Sequence, residues 1–182
     1  MAKKASLLWL DLEMTGLDES KDKILEVACI ATDWDFNEIA VFESAVKVDE
    51  EIVKERMVGD FWKKFSKVKK KLVEQNDSAE FGSEEVEKHI LKFVADNFDM
   101  SEPIYLAGNS IHQDRKFIKN EWPILDDLLH YRMLDVSAWK IVMINKFGIE
   151  FKKADKHRAI EDIRGSIEEL KYYMKEFRDG DN

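Results

Sequence analysis

Short apolar blocks open the chain, and apolar residues at helical spacing take over behind them. Ser6 to Glu13 is an otherwise apolar segment carrying Asp11 and Glu13. It runs into Met14-Thr15-Gly16-Leu17, the pattern of a strand ending in a turn. Ile24 to Trp34 reads as a second strand and Glu38 to Val48, which alternates, as a third; Asp35-Phe36-Asn37 between them predicts a tight hairpin. Together they predict an antiparallel meander. Glu50 to Met57 and Asp60 to Val73 then predict helices, the second strongly basic. Ser83, followed by Glu84 and Glu85, predicts the capped start of a helix reaching about Asn97. Ile104 to Asn109 predicts a short strand, Asp114 to Trp122 and Pro123 to His130 short helices, and Tyr131 to Val136 another strand. Ser137 is placed to cap a helix over Ala138 to Lys146. The clearest element is the last, where Ile160, Ile163, Ile167, Leu170, Met174 and Phe177 make one apolar stripe. A meander followed by strands alternating with helices predicts an α/β fold. Its mixed sheet, antiparallel meander plus parallel strands, would be flanked by helices.

Composition narrows the class. The 182 residues suit one domain spanning 1–182, with about 1–5 and 179–182 frayed, and 45% hydrophobic content supports a core. No apolar run approaches the ~20 residues of a membrane helix, so no membrane partner is expected. Met1 to Lys4 is basic, but the apolar run behind it stops at Leu10, too short for a signal-peptide core. The one cysteine, Cys29, sits in an apolar block and reads as a buried, inert thiol, consistent with a cytoplasmic protein. A net charge of −9 argues against gripping a long polyanion; a short nucleotide chain remains possible if bound cations neutralise part of the site.

The candidate chemistry is acidic. Alternation along a strand points Asp11 and Glu13 the same way, where they repel unless a cation or a Lys or Arg partner lies between them. A buried salt bridge and half of a divalent-metal site are both open readings. Asp49 and Glu51 repeat the spacing, but at the polar start of a helix, where a solvated role suits them better. Asn109-Ser110-Ile111-His112-Gln113-Asp114 lies where a strand gives way to a helix. There Asp114 is either a helix N-cap or a third site carboxylate, and His112 is a loop residue. At the mouth of the last helix stands His157-Arg158-Ala159-Ile160-Glu161-Asp162. Cleavage of a phosphodiester with two cations calls for hard oxygen ligands and a nearby base, which His can be.

The segments Asp11 to Leu17, Gly108 to Asp114, His130 to Ser137 and His157 to Ile163 together resemble, in order and spacing, the oligoribonucleases. These are 3′-to-5′ exonucleases of the DEDDh class with a ribonuclease H-like fold. The resemblance implies that Asp11, Glu13, Asp114 and Asp162 ligate two divalent cations, Mg²⁺ or Mn²⁺, with His157 as general base. It implies a homodimer acting on short RNA down to dinucleotides and releasing 5′-mononucleotides. It further implies that Leu17 wedges between bases, that Trp62 lies near the terminal base, and that Tyr131 reaches across the dimer. Asn109 belongs to the matched substrate segment, and Ser110, Arg132 and Ser137 match residues that hold a 5′ phosphate. Each has a plainer reading: Leu17 packing a turn, Trp62 in the core, Arg132 in a salt bridge, Ser137 as a helix cap. The pattern departs from the family at Lys67, where a substrate-contacting His is usual, and at Ala138. The segment from Phe147 to Lys156 is shorter than usual. The lysines from Lys63 to Lys71 could meet a phosphate backbone or form a solvated helix face. An exonuclease of the same class acting on longer single-stranded DNA or RNA is the alternative function, and a silent nucleotide-binding protein a third.

Overall fold

A computed structural model describes residues 4–152 and 159–179, the side chains of residues 178 and 179 excepted. β1 (Leu7–Met14), β2 (Ile24–Thr32) and β3 (Glu38–Ala45) form the meander. β4 (Ile104–Gly108) adds parallel to β1 and β5 (Leu129–Asp135) parallel to β4, giving a five-stranded sheet in the order β3-β2-β1-β4-β5.

Strand alternation sorts β1 between two cores. Leu8, Leu10 and Leu12 pack on one face with Val86 and Ile90 of α4 (Ser83–Asn97), Phe117 of α5 (His112–Glu121) and Leu125 of α6 (Pro123–Leu128). Leu7 and Trp9 face the opposite way, onto Ile160, Ile163, Ile167 and Leu170 of α8 (Ala159–Asp179). Each such buried side chain is worth roughly 1.5–3 kcal/mol over its exposed state. By the same parity Asp11 and Glu13 lie on the α8 face, where that helix begins.

A third cluster sits at the end of the sheet. Val53 of α1 (Glu50–Arg56), Trp62 of α2 (Asp60–Lys64) and Leu72 of α3 (Ser66–Ser78) pack with Leu25, Val48 and Met57. The single helix expected over Asp60 to Val73 is therefore two. On an unbroken helix Trp62 and Leu72 would point about 80° apart, and a break at Phe65 turns both inward.

Several other boundaries differ from the sequence reading. The second and third strands end at Thr32 and Ala45, and the hairpin between them turns at Phe36, whose φ is +59°. The fifth strand starts at Leu129, so α6 stops at Leu128. Ser83 is the first residue of α4 and not its cap; its hydroxyl donates to Glu121 at 2.9 Å. Ser137 is not a cap either. Asp135 takes that role for α7 (Val136–Val142), accepting from the Ser137 N–H at 2.9 Å. A π-turn over Met143–Phe147 completes the expected helix. His112 opens α5 rather than lying in a loop. Asp49 and Glu51 are exposed, the solvated role their position suggested, and Asp49 also caps α1 through the Glu51 N–H. Ala5 is not frayed: it is buried, and its N–H donates to the Asn97 carbonyl at 3.0 Å. Among the described residues no helix is long and apolar enough to cross a membrane.

Candidate active site

Asp11, Glu13 and Asp162, all half-buried, each offer a carboxylate oxygen within 4.8 Å of the others. β1 supplies two by alternation, and α8 supplies the third one turn into its length. Burial, and then the charges of Glu26 and Asp162, push the Glu13 carboxyl up to about 7 against the pull of Lys71. Glu26 faces Glu13 directly across the β1–β2 ladder. Among the described residues Glu13 makes no ion pair, so Lys71 acts on it from beyond pairing distance. A set of hard oxygen donors held this close against mutual repulsion fits a divalent cation.

Asp114 stands outside that triangle. It is the third residue of α5, so the N-cap reading fails. β4 pairs with β1 only along Leu7–Trp9, and beyond that stretch Asp114 Oδ1 accepts the Leu12 N–H at 3.1 Å. Burial raises its carboxyl to about 7, with the Glu13 and Asp135 charges adding to this while the N–H groups of Leu12 and Asp114 oppose it. It is thus an electrostatic neighbour of Glu13 with one oxygen committed to the strand. His157 lies outside the described residues.

Gly108 allows β4 to end against β1. A Cβ there would stand 2.9 Å from the Leu10 carbonyl oxygen. The chain then turns through Ser110, at φ +50°. The Ser110 N–H donates to Ser137 Oγ at 2.9 Å and to Asp135 Oδ1 at 3.0 Å, and the two serine hydroxyls lie 3.1 Å apart. Asn109 is engaged with protein: its amide donates to Ser166 Oγ at 2.7 Å, and its carbonyl accepts from Ser137. On exposed β5, the Arg132 guanidinium lies over the Tyr131 ring, 4.7 Å from its centroid, and Tyr131 is 69% exposed.

The cleft's other wall is the loop after β1. Leu17 projects from it, 71% exposed, so it does not pack the turn. Asp22 holds the loop closed, accepting from Thr15 Oγ1 and the Asp18 N–H, both at 2.9 Å, and from Arg56 Nε at 2.8 Å. Burial works to raise the Asp22 carboxyl, but these bonds together hold it below the usual carboxylate range. Gly16 is required beside it, because a Cβ would come 2.4 Å from the Asp22 carboxylate. Gln113 of α5 donates to the Leu17 carbonyl at 2.9 Å. Trp62 is buried in the third cluster and donates its indole N–H to the Thr15 carbonyl at 2.9 Å.

Sequence reasoning missed Glu26, Asp22, Arg56 and Asp135. Glu26 carried a signal, being the one charged residue in ILEVACIAT. The Asp22–Arg56 pair, 34 residues apart, carried none.

Comparison with known proteins shows the family and the fold. A family profile described as Exonuclease matches residues 8–170. The oligoribonuclease of Francisella tularensis subsp. holarctica (strain OSU18) is 38% identical over 174 residues, covering 94% of this chain and 95% of its own. That of Thiobacillus denitrificans is 37% identical over 175 residues, covering 94% of each. Among solved structures, E. coli exonuclease I in complex with a dT13 oligonucleotide overlays with a TM-score of 0.63 at 15% identity. Exonuclease I from Methylocaldum szegediense overlays with 0.58 at 16%. These overlays cover at least 90% of this chain but only about two-fifths of the exonuclease I chains, and they speak for the fold, a ribonuclease H-like mixed sheet. With an exonuclease profile along most of its length and near full-length relatives above one-third identity, the chain belongs to the oligoribonuclease family of exonucleases.

Proposed function

We propose that the protein hydrolyses short RNA oligomers, down to dinucleotides, from the 3′ end and releases 5′-mononucleotides. The observation that carries this is the convergence of Asp11, Glu13 and Asp162, of which Glu13 lines a cleft walled by Leu17, Phe61 and Trp62. The three carboxylates would hold divalent cations, Mg²⁺ or Mn²⁺, with Asp114 completing the set. When bound, such a pair stabilises the attacking and leaving oxygens of an in-line displacement. The chain's residues do the rest. His157 accepts a proton from the attacking water as the new P–O bond forms; the bond from phosphorus to the upstream 3′ oxygen breaks, and that oxygen takes a proton from solvent and leaves as a hydroxyl. The Ser110 and Ser137 hydroxyls, beside the start of α7, and Arg132 would grip a 5′ phosphate. That grip would cap the substrate length at one or two linkages.

Homodimerisation belongs to the same proposal. β5 is an edge strand, and Tyr131, Ile141 and Val142 expose apolar surface along it and α7, next to the serine pair. A second copy seated there would carry its Tyr131 toward the partner's cleft. The buried free thiol of Cys29 suits a cytoplasmic enzyme.

The test is product analysis on 5′-phosphorylated RNAs of graded length. Fastest cleavage of the dinucleotide is expected. Strong processive digestion of long oligomers would favour an exonuclease for longer single strands. No hydrolysis in Mn²⁺ would favour a silent nucleotide-binding protein.

A further inference from the structure

Glu169 is 1% exposed and takes no part in the chemistry above. It belongs to a second stripe on α8. Asp162, Ser166, Glu169 and Tyr173 follow at steps of four, three and four, so they share one side of the helix, beside the apolar stripe that meets the sheet. Glu169 Oε1 accepts from the Tyr173 hydroxyl at 2.9 Å and faces Lys140 Nζ of α7 at 3.7 Å. Its other oxygen accepts from the Asn109 amide at 3.4 Å. That amide also donates to Ser166 Oγ at 2.7 Å, and Ser166 donates onward to the Asp162 carbonyl at 2.8 Å. The Asn109 carbonyl takes the Ser137 hydroxyl at 3.3 Å. Hydrogen bonds thus run from the backbone of Asp162 to the serine at the start of α7, and Glu169 holds this path at Asn109 and again at Lys140. Burying a carboxylate is costly, and a packed apolar side chain in its place is often no less stable. What a satisfied polar network adds is a single fixed arrangement of the groups it joins.

We propose that Glu169 is a positioning residue: it fixes the spacing between the Ser110–Ser137 pair and the Asp11–Glu13–Asp162 carboxylates, and so turns a hold on the 5′ phosphate into alignment of the linkage to be cut. The inference rests on the function proposed above, in which that serine pair grips the phosphate. α8 carries Asp162, α7 carries Ser137, and Asn109 bridges the two. A carboxylate only accepts, so Glu169 turns the N–H edge of the Asn109 amide toward α8 and leaves its carbonyl for Ser137. Lys140, one turn beyond Ser137, draws α7 toward the same carboxylate. Without Glu169 the serines keep their hydroxyls, but their distance from the carboxylates is no longer held. Misplacement by about 1 Å at the reacting atoms can cost about 100-fold in rate.

The test compares Glu169→Gln and Tyr173→Phe with the wild type in Mn²⁺, on an RNA dinucleotide with and without its 5′ phosphate. On the phosphorylated substrate Glu169→Gln should lower kcat about tenfold or more while KM moves less than about threefold. Tyr173→Phe removes one donor to the same carboxylate and should lower kcat about threefold. On the unphosphorylated substrate, which the serine pair does not anchor, both variants should stay within about twofold of the wild type. Should Glu169→Gln fail to fold by circular dichroism, Tyr173→Phe decides, since it keeps the ring and loses a single oxygen. An equal loss on both substrates marks Glu169 as support for the fold alone. That result, or an unchanged kcat, overturns the assignment and leaves the exonuclease reading standing. A wild type indifferent to the 5′ phosphate overturns the phosphate grip and the assignment with it. A wild type that cleaves neither substrate overturns the exonuclease reading as well.

Discussion

Replacing Glu13 with Gln should stabilise the metal-free protein at alkaline pH while destroying its function. An unfolded Glu titrates near its ordinary 4.5, whereas burial and the Glu26 and Asp162 charges hold the folded Glu13 near 7. Below pH 4.5 both states carry the proton and the site costs nothing. Between 4.5 and 7 the unfolded chain loses its proton while the folded one keeps it, so folding stability falls as pH rises. At about 1.4 kcal/mol per pH unit, the gap between 4.5 and about 7 amounts to about 3 kcal/mol, fully felt above pH 7. Gln preserves the shape and never ionises, so it removes this cost.

Urea unfolding in EDTA, followed at pH 5 and at pH 8.5, reads the effect directly. The variant should gain on the wild type by up to about 3 kcal/mol at pH 8.5 and by little at pH 5. Adding Mn²⁺ at pH 8.5 should reverse the order, because the cation stabilises only a site that can bind it. An offset between the two proteins that does not change with pH would refute the reasoning. It would mean that Glu13 is ionised without strain and that its position reflects packing alone.

Asp11→Asn and Asp162→Asn should each keep the fold by circular dichroism while losing nearly all turnover, with weaker Mn²⁺ binding by calorimetry. Asp22→Asn leaves Arg56 without its partner and unlatches the Leu17 loop. It should cost about 2–4 kcal/mol in urea and raise KM for dinucleotides. Arg132→Ala should slow cleavage of a 5′-phosphorylated dinucleotide about tenfold or more and spare the unphosphorylated one, measured as kcat/KM. Ile141→Glu should shift the protein toward monomer in analytical ultracentrifugation if β5 and α7 form the contact between copies.

What could be read along the chain was what depends on local period. The parity of Asp11 and Glu13, the meander, and the buried run of α8 as far as Leu170 all follow from side-chain spacing. Spacing misled where α8 outruns the sheet. Met174 and Phe177 continue the stripe but are exposed, and Tyr173 is buried instead, its hydroxyl donating to Glu169 at 2.9 Å. A count of apolar positions could not have chosen the tyrosine. The choice between Asp135 and Ser137 as cap was beyond local signals too, since both residue types cap well. It was decided by Ser110, which reaches across from β4 to both. Asp114 shows the same limit. Its commitment to the Leu12 amide depends on where β4 stops pairing, a fact of sheet assembly and not of any motif.

The loop from Thr15 to Asp22 is fastened on three sides, by Arg56 of α1, by the indole of Trp62, and by Gln113 one residue before Asp114. It therefore cannot swing like a door. Helix α5, the exposed Leu17 and the aromatic block of Phe61, Trp62 and Phe65 are stitched into one frame whose aperture is set when the protein folds. On the function proposed above, such a frame would select by girth and favour a single strand over a paired duplex end.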